Sequence, residues 1–329
     1  MIKIRILLLL IHVLLLVPTT PSHAKQPPEK KPLRLLLNWK PECEFGGFYA
    51  AQVEGLYKKR GLDVEIIPGG AGTPTVQMIA TGKAEFGIAS AEEILISRSH
   101  GTDLVALFAV YQTSPMILMS HSEHHFKSIK DIFQSKNTLA VRSGLPFYTY
   151  LVKKLGQPQA TVVPHLGGIG NFLHDPNHSQ QGFMTSEPLL AARKEVKASP
   201  FLISQEGFDP YLTVLIVRKS YMDENLPAVK TMVGAVRDGW KSFLKDPTKT
   251  NELMNQLNPS IDLQTLKESA DTQKRFIFPT DVPTYGPAKT EKRELGQMTM
   301  SRWEILARQL QSIQLMGHLY NLQDVFRNF

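Results

Sequence analysis

The chain has 329 residues, of which 42% are apolar and 20% charged, ordinary proportions for a globular protein and enough chain to bury one large core or two modest ones. Its formal charge of +7 is scattered without a long basic block, and no nucleic-acid motif accompanies it, so no nucleic-acid partner is expected. Cys43 is the only cysteine, which excludes an internal disulfide and leaves stability to packing.

Lys3 and Arg5 precede an apolar stretch from Ile6 to Leu16, and Ser22-His23-Ala24 sets small residues where a signal peptidase reads. Pro18 stops the run short of the ~20 apolar residues that a membrane span needs. Residues 1–24 therefore read as a cleaved export signal, whose removal takes Lys3 and Arg5 and lowers the +7 to +5. Residues 25–32 read as a solvated leader, and the mature protein is expected in a periplasm.

From Leu33 onward short β-rich runs alternate with helical patterns, the mark of an α/β fold with a parallel sheet covered on both faces. Leu33 to Leu37 is the first strand, ending at Asn38 and Trp39, and a helix carrying Phe48, Ala51 and Leu56 follows. Leu62 to Ile67, Phe86 to Ala89 and Leu104 to Val110 are further strands. Another apolar run lies within Gln112 to His121, a short helix around Ser128 to Ile132, and a strand at Thr138 to Val141. The helical stretch Phe147 to Leu155 leads to a small unit from Val162 to about Met184. Tyr211 to Val217 is strongly β-forming, and Pro227 to Leu244, Thr248 to Leu257, Ile261 to Ser269 and Glu294 to Gln311 are helical.

Ligands of open α/β sheets sit at the carboxyl ends of strands. Trp39, Phe45, Phe48 and Tyr49 bracket the first such end, where flat rings suit a planar heteroaromatic solute. Phe48 falls on the apolar helix face and is assigned to the core; the others are either pocket or hydrophobic staple. Glu42 and Glu44 flank Cys43, and a carboxyl group there accepts from an exocyclic amine or, when protonated, donates to a ring nitrogen; Glu44 is preferred. Three helix starts follow strands and offer free N–H groups: Gly69 to Pro74 with Thr73 as cap and Pro74 at the first helical position, Ser90 in a capping box with Glu93, and Ser143-Gly144 before Pro146. Each is either an ordinary cap or a ligand contact. Gln112, Phe147 and Tyr211 complete the candidate set, Tyr211 at the chain's return either closing a cleft or packing. His121 to His125 reads as a solvated polar loop and not a metal site. No serine elbow or phosphate loop appears.

The runs NWKPECEFGGFYAAQVEGLYKKRGLDVEI and GGAGTPTVQMIATGKAEFGIASAEEIL, followed by KSIKDI, resemble the periplasmic substrate-binding proteins of ABC importers for thiamine-pyrimidine precursors, over roughly residues 33 to 220. Fungal thiamine pyrimidine synthases share that fold. The resemblance implies a type II periplasmic binding protein fold: two α/β lobes joined by two crossover strands with a ligand cleft between them. Residues 33–118 and 216–329 would form lobe 1, and 119–215 lobe 2. It also implies an acidic residue near Met184 to Pro188 that reads the ligand's polar edge, here Glu187, although Gln180, Gln181 and Gly182 stand where relatives commonly carry the acid. The implied function is capture of formylaminopyrimidine or hydroxymethylpyrimidine for a membrane permease and its ATPase. Relatives that bind sulfonates or riboflavin carry similar text, and a ligand-sensing partner of a receptor would use the same two lobes. The synthases' cysteine-rich iron segment and catalytic histidines have no counterpart here, so neither catalysis nor a cofactor is expected.

Overall fold

The computed structural model describes residues 31–142, 144–278, 294–317 and 322–329; the export signal, most of the leader and Ser143 lie outside them. Four strands in the first part of the chain, β1 (Leu33–Leu36), β2 (Val64–Ile67), β3 (Phe86–Ala89) and β4 (Leu104–Tyr111), belong to one sheet. All eight residues of β4 are buried, as expected of a strand covered on both faces. The next five, β5 (Met116–His121), β6 (Thr138–Val141), β7 (Thr161–Pro164), β8 (His178–Phe183) and β9 (Ala198–Leu202), build a second sheet in the order β7-β6-β8-β5-β9. The last strand, β10 (Leu212–Arg218), returns to the first sheet, whose order is β2-β1-β3-β10-β4.

In each sheet one strand runs against its neighbours. β10 is antiparallel to both β3 and β4, and β5 to both β8 and β9, whereas β1 is parallel to β2 and β3, and β6 to β7 and β8. These reversed strands are the first ones made after the chain changes sheets, once through Gln112 to Pro115 and once between Leu202 and Leu212. The switch therefore falls a few residues from the expected boundaries. Met116 to Leu118, expected in the first lobe, pair in the second sheet, and Leu212 to Leu215, expected in the second, pair in the first.

Packing of the first sheet depends on a close helix crossing. Helix Gly46–Val53 lies on the 20-residue helix Leu226–Lys245, and the two touch where neither has a side chain in the way. A Cβ on Gly239 would stand 2.2 Å from the Gly47 carbonyl oxygen, and one on Gly47 would stand 2.1 Å from Trp240 Cγ. The Trp240 indole fills the space, meeting Phe48 and Phe243 edge-on at 6.0 and 5.8 Å.

The other face is covered by helices Thr75–Ala80, Ala91–Ser99 and Met300–Ser312. Trp303, Leu306 and Leu310 of the last are buried with Phe326 and Tyr211. That helix starts at Met300, later than expected, because Gly296 instead bonds to Ala109 of β4. Among the described residues no helix is long and apolar enough to cross a membrane.

Two local expectations change. Thr73 does not cap a helix beginning at Pro74; its hydroxyl accepts from the Gly70 N–H at 2.8 Å, and the helix starts at Thr75. His121 to His125 is not a solvated loop: it ends β5 and makes a 3-10 turn, with the His121 ring buried and stacked on Phe172 at 4.1 Å. His121 and His124 place a ring nitrogen 2.7 Å from the Phe172 and Pro176 carbonyls. Among the described residues no cluster of three or more His, Cys, Asp or Glu could hold a metal ion.

Candidate ligand-binding cleft

The carboxyl ends of the parallel strands of both sheets converge on one hollow of about 140 Å³. Asn38 and Trp39 enter it after β1, Thr73 and Thr75 after β2, Ser90 and Glu92 after β3, Arg142 after β6, His165 to Gly167 after β7, and Gly182, Phe183 and Glu187 at the end of β8. The amino ends of the reversed strands, Met116 of β5 with Leu212 and Thr213 of β10, complete the wall. Thr213 holds φ at +51°, a conformation that costs a β-branched residue about 1–3 kcal/mol and is retained here at the mouth of the hollow.

Trp39 is half-buried, with its indole N–H donating to Glu42 Oε1 at 3.1 Å. The Arg142 guanidinium lies 5.8 Å from the Trp39 ring centroid, within cation–π range. Gly167, in the left-handed region at φ +95°, brings backbone close to the same indole: a Cβ there would be 3.5 Å from Trp39 Cη2. From the second sheet, the Ser186 hydroxyl donates to Glu42 Oε2 at 3.2 Å. Glu187 Oε2 accepts from the Phe183 N–H at 2.6 Å. A Cβ on Gly182 would lie 2.8 Å from Glu187 Oε2, so the glycine is what gives the Glu187 carboxyl its room.

The hollow is unusually acidic. Glu42, Glu44, Glu92, Glu93 and Glu187 line it against one guanidinium, that of Arg142. Burial pushes Glu42 up to about 8, helped by repulsion from Glu187 and opposed by its bonds to Trp39 and Ser186. Glu44 is held well above the usual carboxylate range by burial and then by Glu42 and Glu187. Glu187 is raised by burial against the Phe183 N–H, and Glu92 is pushed up to about 8 by burial with a smaller contribution from Glu93. His165 moves the other way, down to about 4, through burial and the nearby His178 and Arg142. Near neutrality the hollow thus holds carboxyl groups able to donate as well as accept.

A stability consequence follows from the direction of these shifts. Between the ordinary 4.5 and about 8, the folded chain keeps protons on Glu42 and Glu92 that the unfolded chain has released. Their stabilising contribution is complete below 4.5 and is lost as pH rises through that window, at up to about 1.4 kcal/mol per pH unit per group. Glu85, depressed by its bonds to Arg34, acts in the opposite sense only below 4.5. Thermal unfolding of ligand-free protein from pH 5 to 8 is expected to show a shallower decline in Glu92→Gln than in the parent; parallel curves would contradict the assignment.

Of the residues singled out from sequence, Trp39, Glu44, Ser90 and Glu187 come together in the hollow. Ser90 does so with its hydroxyl engaged in the capping box: it donates to Glu93 Oε2 at 3.0 Å and accepts from the Glu93 N–H at 3.4 Å. Phe45, Tyr49 and Phe147 do not line it; all three are buried in the two main cores, where their apolar area is better placed. Gln112 is turned away, donating to the Ala109 and Gln297 carbonyls at 3.1 and 3.0 Å. Tyr211 is buried under Arg302, 4.0 Å from its ring centroid, and its hydroxyl accepts from the Thr299 N–H, so it packs outside the lining of the hollow. Gly144 stands outside the lining between Arg142 and Leu145, which are part of it, with φ +81°. Glu92, Arg142, His165 and Thr213 were not anticipated. For Glu92 the available signal was an acidic pair directly behind a strand end, of which the cap needs only Glu93.

Two α/β sheets exchanged by two crossings, with a shared hollow at their carboxyl edges, define the periplasmic binding protein fold. The periplasmic aliphatic sulphonate binding protein SsuA of Escherichia coli superimposes with a TM-score of 0.67 over 90% of this chain and 92% of its own, at 11% identity. The chain belongs to the NMT1/THI5-like family, whose model matches residues 42–250. It is 22% identical to the riboflavin-binding protein RibY of Chloroflexus aurantiacus over 100% of this chain and 98% of that protein. It is 24% identical to the formylaminopyrimidine-binding protein of Halalkalibacterium halodurans over 77% of this chain and 78% of that protein.

Proposed function

We propose that the protein is the solute-binding component of an ABC importer and captures a thiamine pyrimidine precursor, formylaminopyrimidine or hydroxymethylpyrimidine, in the hollow between the sheets. The observation that carries this reading is the Trp39 ring in one hollow with Glu42, Glu44 and Glu187. An aminopyrimidine offers a flat face to stack, an exocyclic amine to donate and ring nitrogens to accept, and carboxyl groups held toward their neutral form meet both of the latter. The Halalkalibacterium halodurans relative, named for formylaminopyrimidine, supports the ligand class. The N-terminal export pattern and the fold shared with SsuA support a periplasmic site of action, with a permease and an ATPase as partners. Ligand contacts to both lobes would favour the closed population that a permease recognises.

An alkanesulfonate fits poorly despite the fold it shares, because Arg142 is the one permanent cation among the described residues lining the hollow, and a permanent anion there would hold the surrounding glutamates to their neutral form and leave them no amine or ring nitrogen to meet. Riboflavin is the second reading, favoured by the match to RibY over the whole chain. A thermal-shift panel separates them. Hydroxymethylpyrimidine and formylaminopyrimidine at 100 times their Kd are expected to stabilise the protein by about 2.7 kcal/mol, with no shift from taurine. Stabilisation by riboflavin alone would select the second reading, and stabilisation by taurine without the pyrimidines would overturn both.

A further inference from the structure

The hollow does not account for one buried charge. Arg302, on helix Met300–Ser312, has a side chain only 9% exposed and stands outside the lining. Its guanidinium reaches both places where the chain changes sheets. Nη1 donates to the Gln112 carbonyl of the first crossing, and Nη2 donates to the Asp209 carbonyl of the second at 2.7 Å, with the Asp209 carboxylate at 3.4 Å. Asp209 Oδ1 in turn accepts from the Ser114 N–H at 2.7 Å, so the two crossings are also tied directly to each other. A buried ion pair is weak evidence for stability, because well-packed apolar groups of similar volume often serve as well. A rigid fork of donors does something they cannot: it holds carbonyls from two separate segments at one spacing.

The bonds around this pair divide each crossing into a held part and a turning part. In the first, the Gln112 and Thr113 N–H groups both donate to the Phe276 carbonyl, at 2.9 and 3.0 Å, on helix Lys274–Ile277 in the core of the first sheet. Two residues on, the Pro115 carbonyl accepts from the Met184 N–H, just after β8, at 2.8 Å. The border between the halves therefore falls at Ser114 and Pro115. In the second crossing the 3-10 turn Ile203–Glu206 is held by the second half: the Glu206 carbonyl accepts from the Tyr150 hydroxyl and the Lys154 amine of helix Pro146–Leu155, at 3.2 and 2.7 Å. Gly207 stands on the border. Its N–H donates to the Ser204 carbonyl at 3.0 Å, and its own carbonyl accepts from Gln309 of helix Met300–Ser312 at 2.7 Å. Its φ of +96° lies where glycine moves freely and other residues do not. By Tyr211 the chain is held by the first half again, with the Tyr211 carbonyl accepting from the Ala91 N–H at 3.0 Å.

We infer that Arg302 and Asp209 clamp both crossings to the first sheet and its helices, and that the second sheet turns against the first about two pivots, Ser114 with Pro115 and Gly207. Arg302 is thus a positioning residue of solute capture. Without touching the solute it keeps the walls of the hollow, which come from both sheets, on one path of closure.

The inference rests on the reading above that the halves close on a solute, and the clamp is measured in ligand-free protein so that the two stand apart. Spin labels on Lys58→Cys and Lys130→Cys, exposed positions on helices Leu56–Lys59 and Ile129–Gln134, report the distance between the halves by pulsed electron resonance; Cys43 is buried. Arg302→Met is expected to widen the distance distribution at least about twofold, and Arg302→Lys, which keeps the charge but not the fork, to widen it less. Asp209→Ala cuts the tie to Ser114 and is expected to widen it too, which guards against a folding defect in the first variant. Arg34→Met, which breaks the ion pair with Glu85 inside the first half, is expected to lower stability and leave the width unchanged. An unchanged width in those clamp variants that circular dichroism shows to be folded, or equal widening by Arg34→Met, overturns the clamp. Hydroxymethylpyrimidine added to the parent is expected to shorten the distance; no change would count against the pyrimidine reading, while the ligand-free widths still decide the clamp.

Discussion

Replacing Trp39 with alanine is expected to weaken pyrimidine binding by about 10- to 100-fold in a calorimetric titration, with a smaller effect on folding. Stacking of a base on an aromatic side chain contributes about 1–3 kcal/mol by alanine substitution, and each 1.4 kcal/mol is tenfold in Kd. Trp39 carries a further load, since its N–H holds Glu42 Oε1 and its ring sits beside Arg142. Without the indole, Glu42 loses a donor that favours its ionised form and its pKa moves further up. Trp39→Phe keeps the stacking surface and drops the N–H, so its loss should be intermediate. Unchanged affinity in Trp39→Ala would remove the ring from the binding surface.

The same substitution at Trp240 should have the opposite phenotype. That side chain is fully buried between Phe48 and Phe243, at the point where Gly47 and Gly239 let two helices approach. Truncation of a buried tryptophan costs about 3–5 kcal/mol through lost transfer energy and the cavity left behind. Neither helix can move in to fill the space, because Gly239 already stands against the Gly47 carbonyl. Chemical denaturation of Trp240→Ala should therefore show a fall near the upper end of that range, with ligand affinity close to the parent's in the fraction that is folded. A loss below about 1 kcal/mol would mean that the crossing is looser than its geometry indicates.

Much of the architecture was legible because its strands are short, apolar and separated by helices. The strand Thr138–Val141 and the helix Thr248–Leu257 fall where the pattern places them. β8 was visible only at its end, because its residues His178 to Gln181 are polar although all are buried. Their bonds explain how: Gln180 donates to the Gly168 carbonyl, and Gln181 accepts from the Arg142 N–H. Trp39 and Glu187, which the sequence singles out where chemistry and position agree, both lie in the hollow. Phe45, Tyr49 and Phe147 lie in the cores instead, since an aromatic residue beside a strand end satisfies a core and a pocket equally well in one dimension. Arg142 and His165 could not be assigned from sequence, because which turns of the second sheet meet those of the first is fixed by the two crossings.

A crystal structure of the protein soaked with hydroxymethylpyrimidine puts the central claim to its most direct test. The account predicts the ring lying against Trp39, with its amino edge within hydrogen-bond distance of a carboxyl group among Glu42, Glu44 and Glu187. A pyrimidine found on the outer surface, or in the hollow with its ring away from Trp39 and no glutamate in contact, would contradict it.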